Sequence, residues 1–209
     1  MNQRALLVDW GGVLTIPLDQ AMRAWCLSDG MPYEQVMELL DWYAPADGDI
    51  HPIHALERGE TDGHEVAEWL ARELHQQHLL TVDPAGLLDR MFEHLQPYDE
   101  ILDLCRLARV KGWRTAVLSN SWDNDYPRHR WQGAFDEVLI SGELGMRKPE
   151  ERIFMHALST LGVTAQDAVF VDDEMPNILV AQGLGMRCVL VDDQQAAVLE
   201  LRAILGASS

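Results

Sequence analysis

The spacing of apolar residues along the chain changes character twice. Ala5-Leu6-Leu7-Val8, within a segment from Arg4 to Asp9, is an unbroken apolar run, as expected of a strand buried on both faces. Between residues 16 and 95 the spacing turns helical. One stripe runs through Met22, Trp25, Cys26 and Leu27 and a second through Val36, Leu39, Leu40 and Tyr43. A third takes in Val66, Trp69, Leu70 and Leu74, and a fourth Leu87, Leu88, Met91, Phe92 and Leu95. With Pro45, Pro52, Gly59, Gly63 and Pro84 as breaks, this predicts four helical segments, with Trp25, Trp42 and Trp69 packing among them.

Beyond Pro97 helical and strand patterns alternate. Helices are predicted over Ile101–Val110, Glu151–Leu161, Asn177–Leu184 and Gln194–Leu205. Strands are predicted over Thr115–Leu118, Glu137–Ile140, Ala168–Val171 and Arg187–Val191. Such alternation implies an α/β fold, a parallel sheet flanked by helices on both faces. The helical stretch after the first strand then reads as an insertion. Residues 1–15 and 96–209 form the core, and residues 16–95 a small helical bundle set into it.

The ends of the strands carry the candidate chemistry. The first runs into Asp9-Trp10-Gly11-Gly12, one carboxylate followed by a glycine turn that lets the backbone close around whatever Asp9 touches. The second ends in Ser119-Asn120-Ser121, which offers hydroxyl and amide groups. Arg147-Lys148-Pro149-Glu150 fixes a lysine ahead of a helix, with Arg147 expected on the surface. The strand at Ala168 ends in Asp172-Asp173-Glu174. Two adjacent carboxylates repel each other unless a cation lies between them. Asn177 could either bond those carboxylates or cap its helix. Together these groups could hold a divalent cation and a phosphoryl group against an aspartate nucleophile.

In this order the four segments resemble the motifs of the haloacid dehalogenase-like hydrolases, over roughly Ala5 to Val191. The resemblance implies a Rossmann-like core whose helical insertion is a cap over the active site. It further implies that Asp9 attacks phosphorus and forms an aspartyl-phosphate, with Ser119 and Lys148 completing the catalytic set. Mg²⁺ is the natural cofactor for such a donor set. By the resemblance it is held by Asp9, the main-chain carbonyl of Gly11, and Asp173, while Asp172 binds through water or orients its neighbour. Asn120 and Gly12 would contact the phosphoryl group. The turn Leu56-Glu57-Arg58-Gly59-Glu60 resembles the family's specificity loop, so Glu57 and Arg58 become candidates for substrate contact.

One position departs from the pattern. Most phosphatases of the family carry a second aspartate two residues after the nucleophile, and here that residue is Gly11. General acid–base help is worth about 10²–10⁴-fold, so its absence implies a slow or specialised phosphatase. Replacements for the acid are sought in Glu57, Arg58, Glu60, His51 and His54, although each histidine also reads as a packing or surface residue. A 2-haloacid dehalogenase would need no acid, because halide leaves unprotonated, but such enzymes do without the Asp172-Asp173 pair. A non-catalytic module that binds a phosphorylated ligand or a protein is the third reading.

Composition narrows the choice. With 34 acidic against 16 basic residues the net charge is −18, which excludes a nucleic-acid phosphate backbone as partner but not a small phosphorylated metabolite. The three cysteines show no CxxC or Cys/His spacing, so neither a disulfide framework nor a zinc site is expected. No leader or membrane-spanning stretch is apparent, and a cytoplasmic monomer or homodimer is expected.

Overall fold

The computed structural model describes residues 3–40 and 51–206. Five strands make one parallel sheet, in the order β3-β2-β1-β4-β5. These are β1 (Ala5–Val8), β2 (Arg114–Ser119), β3 (Glu137–Ile140), β4 (Ala168–Asp172) and β5 (Arg187–Leu190). The central strand β1 is buried throughout, because its two faces serve two different cores. Leu6 and Val8 pack against α6 (Asp99–Val110) and α10 (Gln194–Leu205). Ala5 and Leu7 face the opposite way, toward α8 (Glu151–Leu161) and α9 (Met175–Gly183). An uninterrupted apolar run is what a strand sandwiched in this way requires. Phe154 on α8 and Phe170 on β4 meet edge to face, with ring centroids 5.3 Å apart.

Between β1 and α6 lie, among the described residues, α1 (Leu18–Ser28), α2 (Tyr33–Leu39), α3 (Pro52–Glu57), α4 (Gly63–His78) and α5 (Leu87–Glu93). The helix α3 was not anticipated. Its six residues are too few to show a period, and Pro52 and Gly59 at its ends read as breaks. It begins where the His51 ring accepts a hydrogen bond from the Ile53 amide. The four-residue helix α7 (Ser141–Leu144) is below the reach of periodicity for the same reason.

Leu27 corrects the first predicted stripe: it is 83% exposed while Met22, Trp25 and Cys26 are buried. It sits a further 100° round the helix from Cys26 and so faces solvent. Trp42 and Tyr43, expected to pack with these helices, lie outside the described residues. Where the chain leaves the sheet and where it returns, it pairs with itself. The Ile16 amide donates to Gln96 O (2.8 Å) and the Tyr98 amide to Leu14 O (2.9 Å), around an antiparallel bridge between Thr15 and Pro97. Among the described residues no helix is long and apolar enough to cross a membrane.

The register decides where the chemistry goes. Val8 is level with Val117 of β2 and Val171 of β4, so the residues that follow these strands emerge at one edge of the sheet. The Asp9 amide still donates to Val171 O at 2.9 Å, which ties its backbone to the rim.

Candidate active site

Asp9, at the carboxyl end of β1, is 9% exposed. Lys148 is 1% exposed, and its Nζ lies 2.9 Å from Asp9 Oδ1 and 2.6 Å from Asp172 Oδ2. Asp172 Oδ2 accepts a hydrogen bond from this ammonium, whereas buried Asp9 Oδ1 is engaged by it as an ion pair and has no further partner. A lysine buried this deeply requires compensation. Burial alone would lower its pKa, but Asp172 and Asp9 outweigh burial and raise it.

Asn120 fixes the backbone of Lys148 while the two aspartates balance its charge. The Asn120 amide brackets it: Nδ2 donates to Lys148 O (3.0 Å), and the Lys148 amide donates to Asn120 Oδ1 (2.8 Å). Asn120 also hydrogen-bonds Glu57. Its amide, expected to face a phosphoryl group, is thus engaged with the lysine turn.

Asp9, Asp172 and Asp173 each offer a carboxylate oxygen, and these oxygens lie within 4.8 Å of one another. Burial pushes Asp9 up to about 7, with Lys148 pulling it down and Asp172 pushing it further up. Burial, then Asp9 and Asp172, hold Asp173 well above the usual carboxylate range. The members of the pair differ in how they are engaged. Both oxygens of Asp172 are taken: Oδ2 by Lys148, and Oδ1 by the Glu174 amide (2.8 Å) and Asn177 Nδ2 (3.0 Å). That settles the role left open for Asn177, which bonds a carboxylate of the cluster. Asp173 packs directly over Gly12. Three crowded carboxylates, one with an undonated buried oxygen, form an all-oxygen donor set that fits a hard divalent cation such as Mg²⁺.

Gly12 has φ +67°, and a Cβ there would overlap the Asp173 carboxylate. Gly12→Ala is therefore expected to lose about 1–3 kcal/mol of stability and to displace Asp173. Urea unfolding and a Mg²⁺ titration of the variant would measure the two effects. Gly11 is different, since a Cβ there would meet nothing within 4 Å and its φ is not positive.

Ser119 is 2% exposed, and its Oγ accepts from the Tyr126 hydroxyl at 3.1 Å. Tyr126 belongs to the polar, aromatic loop Trp122–Pro127 after the second strand, which the sequence leaves open between contacting substrate and closing a turn. Its proximity to Ser119 is set by the fold, with its ring against Trp10 at 4.8 Å between centroids.

Arg147 corrects an expectation. It is 6% exposed and forms an ion pair with Glu57, which is 4% exposed. Glu57 Oε1 also accepts from Trp122 Nε1 at 3.3 Å. Burial raises the Glu57 pKa, and the contacts with Arg147, Trp122 and Asn120 offset part of that rise. Arg58 pairs instead with Glu150, at 2.5 Å, so two ion pairs join the turn after α3 to the turn bearing Lys148. Of the proposed replacements for the missing acid, Glu57 alone is among the described residues lining the cleft over Asp9. The His51 ring is occupied by the Ile53 amide and lies 5.5 Å from the Trp69 ring.

The cleft over Asp9 opens to solvent and has a cavity volume of about 90 Å³, and its described walls include Asp9, Gly11, Ser119, Asn120, Lys148 and Asp173. A nucleophile-capable carboxylate, a buried ammonium, a hydroxyl and an acidic cluster at the carboxyl edge of a parallel sheet together form the site of a hydrolase built on an open α/β sheet. The chain belongs to the haloacid dehalogenase-like hydrolase family, whose profile matches residues 3–185.

The mouse protein acyl-CoA dehydrogenase family member 10 is 28% identical over 98% of this chain, which spans 19% of that protein. A sesquiterpene phosphatase of Aspergillus oryzae is 30% identical over 54% of this chain and 59% of its own length. The chain thus spans less than two thirds of either relative. A predicted hydrolase of the family from Porphyromonas gingivalis superposes with TM-score 0.71 over the full length of both chains, at 22% identity. A Bacteroides thetaiotaomicron enzyme in complex with magnesium and inorganic phosphate gives 0.65 at 22% identity, over 93% of this chain and 98% of the other. A dehalogenase gives 0.69 at 20% identity over 99% of both. The structural likenesses establish the fold and leave the reaction to be read from the site.

Proposed function

We propose that the chain is a Mg²⁺-dependent phosphohydrolase acting on a small phosphorylated metabolite through Asp9. The observation that carries this reading is the cluster of Asp9, Asp172 and Asp173 around the buried ammonium of Lys148. An Asp9 oxygen forms a bond to phosphorus, and the bond from phosphorus to the ester oxygen breaks. The leaving oxygen takes the electron pair and a proton from water. Water then adds to phosphorus, the bond to Asp9 breaks, and inorganic phosphate departs.

Asp9, the Gly11 carbonyl and Asp173 would hold Mg²⁺, with Asp172 as their support. When bound, the ion neutralises negative charge at the phosphoryl group. Lys148 balances Asp9 and Asp172 and stabilises charge on the phosphoryl oxygens as it builds. Ser119 donates its hydroxyl to one of those oxygens, oriented by Tyr126. Residues 16–95 act as the cap, fastened by Glu57 and Arg58 to the lysine turn. Relatives that are phosphatases, and a structural neighbour holding magnesium and phosphate, support the same reading.

The test is phosphate release from a panel of esters, with Mg²⁺ and with EDTA, beside Asp9→Asn. Release that requires both the metal and Asp9 is expected. Mg²⁺ binding without release would instead favour the non-catalytic module. Gly11 favours one alternative, displacement of halide from a haloacid, which needs no proton. Against it stands the acidic cluster, which calls for a cation; halide release undiminished by EDTA would establish it. Because the space beside Gly11 is open, Gly11→Asp is expected to raise kcat/KM for alkyl phosphates at least about 10-fold. A folded variant with no gain would show that the missing acid does not limit the rate.

A further inference from the structure

We propose that the cleft selects phosphate esters whose organic group is apolar and uncharged, and rejects those carrying a second anion. The inference rests on the phosphohydrolase reading of the same site and names its substrate class.

Beside the polar floor, the walls of the cleft are Trp10, Leu18, Met91, Phe92, Leu95 and Trp122. Trp10 and Phe92 lie 6.3 Å apart between ring centroids, inclined at 36°, and both border the cleft that holds Asp9. An organic group leaving from phosphorus would lie against these walls, where it gains by burying apolar area.

Charge supplies the second half of the selection. Two cations are among the described lining residues, and both are spent. Lys148 serves Asp9 and Asp172, and Arg147 serves Glu57. Arg58, the next cation along the cap turn, is paired with Glu150. The undescribed residues, 1–2, 41–50 and 207–209, include no lysine, arginine or histidine. The same walls hold the acidic residues Asp9, Glu57, Asp173 and Glu174. A carboxylate or second phosphate on the organic group would lose its water and find only like charge.

Three non-hydrolysable phosphonates test this by calorimetry on the full chain in Mg²⁺: methylphosphonate, phenylphosphonate and 4-carboxyphenylphosphonate. Phenylphosphonate is expected to bind at least about 10-fold tighter than methylphosphonate, and the carboxylated compound at least about 10-fold weaker than phenylphosphonate. Equal binding of the two aryl compounds, or no gain of phenyl over methyl, would overturn the proposal.

Two variants locate the effect. Phe92→Ala is expected to cost phenylphosphonate more than methylphosphonate. Glu57→Gln, by releasing the Arg147 charge, is expected to narrow the discrimination against the carboxylated compound. Should that variant fail to fold, Phe92→Ala and the wild-type series decide.

Acetyl phosphate separates this proposal from the reading beneath it, since its leaving group needs no acid and carries little apolar surface. Asp9-dependent hydrolysis of acetyl phosphate without the phenyl preference would overturn the substrate class and keep the phosphohydrolase. The predicted binding order without hydrolysis would uphold the preference of the cleft and overturn the phosphohydrolase.

Discussion

Asp9→Asn is expected to lower kcat/KM for phosphate esters by on the order of 10⁴-fold or more, because the Asp9 carboxylate forms the first bond to phosphorus in the proposed reaction. The amide keeps the shape of the carboxylate but is far too weak a nucleophile. The substitution also removes one of three crowded acids, and Lys148 keeps Asp172 as a partner at 2.6 Å. The fold is therefore expected to hold, with a urea midpoint no lower than that of the unmodified chain. Steady-state phosphate release and urea unfolding on the same preparation check both halves. A variant retaining a tenth of the activity would remove Asp9 from the reaction.

Lys148→Met carries the largest expected effect on stability. The ammonium sits between Asp9 and Asp172, the latter wholly buried. Methionine fills the volume but leaves two buried carboxylates facing each other without a counter-charge, a loss of about 3–5 kcal/mol. Mg²⁺ binds the folded carboxylates and not the unfolded chain, so it is expected to restore part of the loss. Urea unfolding with Mg²⁺ and with EDTA measures both effects. A loss under about 1 kcal/mol would mean that the lysine contributes charge to the site without supporting the fold.

The strand ends were legible because each problem is local. An apolar run that stops at a carboxylate or hydroxyl marks the rim of a parallel sheet, and Asp9, Ser119 and Asp172 all stand there. Lys148 was legible from its rigid turn. What escaped was whatever depends on a partner far along the chain. Arg147 looks like a surface residue in its own segment and becomes a buried one through Glu57, 90 positions away. Asn120 lines the cleft as its chemistry leads one to expect, but the bracket it makes around the Lys148 backbone, 28 positions away, is not visible in its own segment. Leu27 shows the converse: an apolar residue next to a stripe is not part of it when the helix turns it outward.

The central claim is that Asp9 carries the phosphoryl group during turnover. Its most direct test is to quench the enzyme in acid within one turnover of an aryl phosphate with Mg²⁺ present, and to map the added phosphoryl mass by peptide. The expected result is a hydroxylamine-sensitive adduct on the peptide containing Asp9, present in the unmodified chain and absent from Asp9→Asn. Turnover accompanied by an adduct on another residue would contradict the account.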